Sequence, residues 1–250
     1  MYLERPPDQD LAGRVACVWH QVAEADTTQL VVPDACVDLI WGPEGLFVAG
    51  PDTGPMPTPM RAGDTFVGIR FKPGVAGDVF GVPLQELRDQ RVSVSDLPAL
   101  RLWLDPAGPE TTIPSRLDAA GRETVMRSRL DGMRSAVRGR LSRSASVDPA
   151  APAIATALRG GHTVGAVAWD LGLSERQLQR RSLTAFGYAP KTLQRIVRFQ
   201  RALRLARAGV PLAEVAVTAG YTDQAHLSHD VKRLSGVPMS SLVSPVRELA

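Results

Sequence analysis

The 250-residue sequence predicts an α+β protein, with a mixed, β-rich N-terminal domain followed by an all-α domain of two short helix pairs joined by a long helix. Three observations carry this. Short β-branched and aromatic runs, broken by Pro and Gly, fill residues 1–73. The apolar spacing turns helical near residue 116, and a 27-residue pattern recurs 48 positions further on near the C-terminus.

The expected strands are Ala16–Val22, Leu30–Val32, Val37–Trp41, Leu46–Ala49 and Thr65–Phe71, bounded by turn formers, with GPDTGPMPTPM at 50–60 as the longest break. Trp19, Trp41, Val67, Ile69 and Phe71 are the expected core of this part. Lys72-Pro73-Gly74 reads as a turn, with short helices near Val75–Phe80 and Leu84–Asp89. From Arg116 to Ser142 the apolar residues are Leu117, Met126, Leu130, Met133, Val137 and Leu141; the last five step by 4, 3, 4 and 4, which is one helix face. That face packs on its own domain or on a second copy. Small, polar and Pro-containing residues then mark a linker at 143–152, giving domains at 1–142 and 153–250.

Composition narrows the class. The chain is 44% hydrophobic and 22% charged, an ordinary globular mix. No apolar run approaches the roughly 18 residues a membrane span needs. The start, MYLERPPDQD, lacks the apolar stretch of a signal peptide. A cytoplasmic protein with no membrane partner is expected. Two cysteines, Cys17 and Cys36, make neither a disulfide scaffold nor a CxxC zinc site, so no metal or cofactor is expected. Charge is divided: residues 1–121 hold 9 basic and 17 acidic residues, net −8, and residues 122–250 hold 20 and 9, net +11. Of the 29 basic residues only Lys72, Lys191 and Lys232 are lysines. Arginine suits bidentate recognition of phosphate and guanine, and a basic half on an acidic half suggests a nucleic-acid module joined to something else.

The repeat pairs VGAVAWDLGLSERQLQRRSLTAFGYAP (164–190) with LAEVAVTAGYTDQAHLSHDVKRLSGVP (212–238). Each copy has a short apolar helix, a glycine (Gly172 or Gly220) that ends it, and an apolar residue (Leu173 or Tyr221). Ser174 or Thr222 then serves as N-cap, an acid (Glu175 or Asp223) lies just inside, and a second helix ends at Gly187 or Gly236. This is helix-turn-helix logic. The second copy has one extra residue between its glycine and its buried leucine: Gly220 to Leu227 against Gly172 to Leu178. Between the copies, TLQRIVRFQRALRLARAG (192–209) carries a stripe of Ile196, Val197, Phe199, Leu203 and Leu205. It makes a rod of about 25 Å. Two helices held by such a rod can enter successive major-groove faces, about 34 Å apart.

On these motifs, GLSERQLQRR, FGYAPKTLQRIVRFQRAL, LAEVAVTAGYTDQAHLSH and GVPMSSL in order, residues 153–250 resemble the DNA-binding domain of the AraC/XylS family of bacterial transcription regulators. The resemblance implies a sequence-specific regulator that binds double-stranded DNA and contacts RNA polymerase, not an enzyme. It places Arg176, Gln179 and Arg180 of the first recognition helix, and Gln224, Ala225, His226, Ser228 and His229 of the second, at groove-facing positions for base contact. Arg pairs with guanine and Gln with adenine. Ser174, Arg181, Arg195, Arg198, Thr222 and Lys232 are the expected phosphate contacts. The sequence departs from the family pattern at Ser182 and Val231, where Phe is usual, and at His229, where Arg is usual. Histidine makes the weaker contact at neutral pH, which weakens the second unit as a reader.

VVPDACVDLIWGPEG (31–45) and FVGIRFKPGVAGDVFGVPLQELRDQ (66–90) resemble an N-terminal domain of some actinobacterial AraC-like regulators. The wider family implies a sensor or dimerisation domain, hence a small-molecule effector or a homodimer. Cys17 and His20 alternate to opposite faces of a strand, against a shared metal site with Cys36 and Asp38. Arg70, inside an apolar strand, needs a partner: Asp34, Asp38 or an anionic effector. Two function classes stand beside a regulator. A DNA-targeted repair enzyme with a four-cysteine zinc site is set aside on cysteine count. A ligand- or partner-sensing module that binds DNA weakly, through the first helix-turn-helix only, remains.

Overall fold

The computed structural model describes residues 2–97, 118–143 and 148–243. Leu117, the linker residues 144–147 and residues 244–250 of the sequence-based assignments lie outside them.

An antiparallel six-stranded sheet, in the order β1-β2-β7-β4-β5-β8, forms the N-terminal domain. Its strands are β1 (Tyr2–Arg5), β2 (Val15–Val22), β4 (Val37–Gly42), β5 (Gly45–Ala49), β7 (Thr65–Phe71) and β8 (Arg91–Ser93). A separate ribbon pairs β3 (Thr27–Val31) with β6 (Met56–Met60). One face of the large sheet is apolar: Val18, Val37, Leu39, Val48, Val67, Ile69 and Phe71 form one core with α1 (Gly77–Phe80) and α2 (Ala119–Leu141). A register shift between Val15 and Cys17 turns Val15 to this face together with Val18. Three strands escape the sequence reading for physical reasons. The β1 strand is an exposed four-residue edge, β8 has three residues, and β6 carries Pro57 and Pro59, which lack the N–H of a strand ladder and sit on a two-stranded edge.

Asp118 caps α2 by accepting from the Gly121 N–H at 2.7 Å. The helix packs on its own domain: Met133 and Val137 are buried in the sheet's core, and Arg138 Nε donates to Asp10 at 2.6 Å.

The helical domain comprises α3 (Ala150–Arg159), α4 (Val164–Asp170), α5 (Glu175–Phe186), α6 (Pro190–Arg207), α7 (Leu212–Ala219), α8 (Gln224–Ser235) and α9 (Met239–Val243). The start of α3 lies inside the segment read as linker: its N-cap is Pro149, and the Asp148 carboxylate closes a turn just ahead of it, accepting from the Ala150 N–H at 3.0 Å. The rod α6 begins at Pro190, where a missing N–H costs nothing. Leu193, Ile196, Phe199, Ala202, Leu203 and Ala206 are its buried stripe.

The two domains share packing. Val32 and Ala35 lie in the helical domain's core, with Ala35 at φ +63°. Gln200 Nε2 donates to the Pro33 carbonyl at 2.6 Å.

Candidate nucleic-acid interface

The two helix-turn-helix units are α4–α5 and α7–α8. In the first, Thr163 caps α4, accepting from the Ala166 N–H at 3.2 Å, and Gly172 turns the chain at φ +62°. Ser174 then starts α5 with a reciprocal capping box. Its hydroxyl accepts from the Gln177 N–H at 3.2 Å, and the Gln177 side chain accepts from the Ser174 N–H at 2.8 Å. Leu178 is fully buried against α4 and α6 residues.

The second unit corrects the sequence reading at one point. Asp223, not Thr222, is the N-cap of α8, its carboxylate accepting from the His226 N–H at 2.7 Å. The extra residue is therefore absorbed in the turn. Counted from the cap, Leu227 stands where Leu178 does, and both are buried. Ala225, Ser228 and His229 then stand where Arg176, Gln179 and Arg180 do, and all six are exposed. Thr222 is exposed in the turn, its hydroxyl 3.4 Å from His226 Nδ1.

The heads differ in what they offer. The first presents two guanidiniums and an amide. On the second, the Ser228 hydroxyl donates to the Gln224 carbonyl at 2.8 Å, and the His226 ring stands edge-on to Tyr221 at 5.2 Å. Gln224 and His229 are exposed.

Three expected phosphate contacts have internal partners. Arg181 is held by Asp148 at 2.5 Å. Arg195 and Arg198 both meet Asp230, at 3.5 and 3.0 Å, and Arg198 lies over the Tyr221 ring at 4.2 Å. Burial, with the Asp230 charge nearby, pushes the Tyr221 phenol up to about 12. The lysine at 232 is exposed on α8. Sequence reasoning missed Asp230, which sits on the buried side of α8; a helical wheel anchored on Leu227 would have placed it there.

Of the three departures from the AraC/XylS pattern, His229 is exposed, whereas Ser182 and Val231 are buried. Ser182 is fully buried, and its hydroxyl donates to the Tyr188 carbonyl at 2.7 Å; Val231 fills the corresponding place in the second unit. Neither position faces outward.

In the N-terminal domain, Cys17, Arg70 and Asp38 lie side by side across β2, β7 and β4. Arg70 Nε donates to both Asp38 oxygens at 3.2 Å and is 3.8 Å from Asp34, while Glu4 is 3.6 Å from its Nη1. Trp19 Nε1 also donates to Asp38, at 2.9 Å. Arg70 thus finds its partners inside the protein. Burial pushes the Asp38 carboxyl up to about 6 against the pull of Arg70, and pushes the Cys17 thiol up to about 11. Asp34 also closes a turn, accepting from the Cys36 N–H at 2.8 Å. Among the described residues no group of three or more His, Cys, Asp or Glu is placed to hold a metal, and no helix is long and apolar enough to cross a membrane. Behind the sheet, a groove of about 690 Å³ opens between β2 and α2, floored by Leu3, Val18, Val67, Met126 and Leu130.

Residues 167–243 match a helix-turn-helix domain family, and residues 3–93 match a domain of unknown function (DUF6597). Solved structures with similarity include ToxT from Vibrio cholerae, 10% identical over 97% of each chain with a TM-score of 0.46. An unsaturated fatty acid-bound form of ToxT is 10% identical over 97% of this chain and 94% of that one, TM-score 0.45. The C-terminal domain of AraT, a response regulator from Geobacillus stearothermophilus, is 21% identical over 42% of this chain and 94% of that one, TM-score 0.38. No curated protein matches the chain.

Proposed function

We propose that the chain, whose C-terminal part matches a helix-turn-helix domain family, is a DNA-binding transcription regulator of AraC/XylS type that reads a bipartite major-groove site and is modulated through its N-terminal domain. One observation carries the reading. Arg176, Gln179 and Arg180 on α5, and Ala225, Ser228 and His229 on α8, occupy the same exposed positions of two recognition helices that share the rod α6. The first head carries most of the base discrimination, since a good bidentate contact is worth about 1–3 kcal/mol. Gln224, Ala225, His226, Ser228 and His229 read the second half-site with fewer strong donors. Ser174 meets phosphate from the start of α5, Thr222 from the turn before α8, and Lys232 from α8. Arg181, Arg195 and Arg198 do so by sharing their guanidiniums with Asp148 and Asp230.

Modulation rests on the shared packing of the domains, so that a ligand or partner chain on residues 1–142 is felt by α5 and α6. Arg70, Asp34 and Asp38 are already paired, which makes the groove beside α2 the better seat for an effector.

In vitro selection of DNA sites with the full chain tests the reading, repeated with Arg176→Ala/Arg180→Ala and with His226→Ala/His229→Ala. The expected result is a two-part motif, each half lost with one double variant. A motif carried by the first helix alone, or no motif at all at moderate salt, would replace this reading with that of a sensing module.

A further inference from the structure

The segment 51–55, read from sequence as a plain break, packs tightly on the C-cap of the first recognition helix and lies beside that of the second. Gly187 and Gly236 are the left-handed C-cap glycines of α5 and α8, at φ +77° and +75°. A methyl group built on Gly187 would fall 2.6 Å from Pro51 Cγ and 3.0 Å from the Leu84 carbonyl oxygen; one on Gly236 would fall 3.4 Å from Pro55 Cγ. Between these contacts, the buried Tyr188 hydroxyl donates to the Asp52 carbonyl at 2.7 Å.

The same segment is pinned on its other side to the sheet domain. The Asp52 carboxylate takes two bonds from Arg91, at 2.9 and 2.8 Å. The Thr53 N–H and hydroxyl donate to Asp89 at 2.6 and 2.9 Å. The Asp89 N–H donates to the Pro51 carbonyl at 3.1 Å, with Asp89 at φ +58°. Gly50 lies so close to the Leu87 carbonyl that a methyl there would fall 1.7 Å from its oxygen. Arg88, from the same 87–91 stretch, donates to the Gly187 carbonyl at 3.3 Å. Proline at both ends fixes φ and stiffens the five-residue segment.

We infer that residues 51–55 are a strap that holds the second recognition helix at a fixed pose relative to the first, and so sets the half-site spacing that the chain accepts. This rests on the two-headed reading above. One base pair added between half-sites moves the second by about 3.4 Å and turns it by about 34°. A strap that holds both helix ends against one rigid sheet resists such a movement, which the rod alone, joined to α7 through Gly209, does not.

Two measurements on the full-length protein decide it, each comparing wild type with Pro51→Gly/Pro55→Gly and with the milder Tyr188→Phe. The first is affinity for the selected site with its spacer shortened or lengthened by one base pair. Wild type is expected to lose about tenfold, comparable to one mismatched pair. The strap variants are expected to lose clearly less, with affinity for isolated half-sites unchanged. The second needs no DNA: spin labels at Gln179→Cys and Ser228→Cys, in a Cys17→Ser/Cys36→Ala background. A narrow distance distribution in wild type that broadens in the strap variants is expected. Spacing discrimination and distance distribution that both stay at the wild-type pattern overturn the strap. A wild-type chain that selects no two-part motif sinks the function reading instead, and the spin-label distances then decide the strap by themselves.

Discussion

Arg181 and Asp230 occupy the same position of α5 and α8, seven residues beyond the N-cap, with opposite charge. Arg181 turns to Asp148 ahead of α3, whereas Asp230 is buried and takes Arg198 at 3.0 Å and Arg195 at 3.5 Å from the rod α6. The duplicated helices are thus fastened to the domain by reversed ion pairs. Both helices also bury apolar residues, Leu178 and Phe186 on α5 and Leu227, Val231 and Leu234 on α8.

The first prediction follows from that pair. Asp230→Ala leaves two partly exposed arginines facing the space of a buried acid. The cost is about 1–3 kcal/mol, below the range for fully buried pairs because both guanidiniums reach solvent. Asp230→Asn is expected to cost less, since its oxygen still accepts from Arg198. Urea melts of both variants measure this; equal stability of wild type and Asp230→Ala would show that the pair holds nothing.

Ser182 supplies the second. The Phe usual at this place in the AraC/XylS family that the sequence resembles does not fit here, because the Ser182 hydroxyl is fully buried and bonded to the Tyr188 carbonyl. Ser182→Phe is expected to destabilise by about 2 kcal/mol or more through overpacking, and Ser182→Ala by about 1–2 kcal/mol through the carbonyl left without a donor. Thermal melts at one protein concentration compare the two. A Phe variant as stable as wild type would mean that the packing around Ser182 yields to the larger ring without strain.

These cases mark what was legible in the residues. The duplication could be read because positive-φ glycines and buried leucines tolerate few replacements, so Gly172, Gly220, Leu178 and Leu227 keep their spacing. The cap of α8 was misplaced because Thr222 and Asp223 are adjacent and both cap well; counting four back from Leu227 settles on Asp223. The β6 strand was hidden by its two prolines. The meeting of Pro51 with Gly187 and Pro55 with Gly236 joins residues more than 130 apart, and no local pattern encodes it.

The third prediction separates base contacts from phosphate contacts. Arg180→Ala is expected to cost about 1–3 kcal/mol on the selected site and to relax preference at one position of one half-site. Lys232→Ala should weaken all sequences alike and reduce the salt slope of log affinity by about 1. Fluorescence anisotropy over a salt series distinguishes them. If Arg180→Ala lowered affinity for every sequence equally, the groove-facing assignment of α5 would be wrong.

Gly68 gives the fourth. It stands opposite Trp19 across β2 and β7, and a methyl there would fall 2.2 Å from the indole. Gly68→Ala therefore pushes Trp19 off its strand and breaks its bond to Asp38. The expected cost is about 1–3 kcal/mol, as for other overpacked cores, with a change in the near-ultraviolet signal of the indole. An unchanged spectrum with unchanged stability would mean that the indole of Trp19 does not depend on the space left by Gly68.

The last prediction concerns pH. Burial holds the folded Asp38 carboxyl at about 6, above its ordinary 3.8. Between these values the folded state binds more protons at this site than the unfolded state does, so the site's contribution to stability falls as pH rises through that window and is flat above it. Asp38→Asn removes the titration while keeping an acceptor for Trp19 and Arg70. The melting temperature of wild type minus that of the Asn variant should therefore be greatest near pH 4, decline to about pH 6, and stay constant to pH 8. A difference that grows with pH over the same range would mean that Arg70 outweighs burial, and that the carboxylate is stabilised in its charged form.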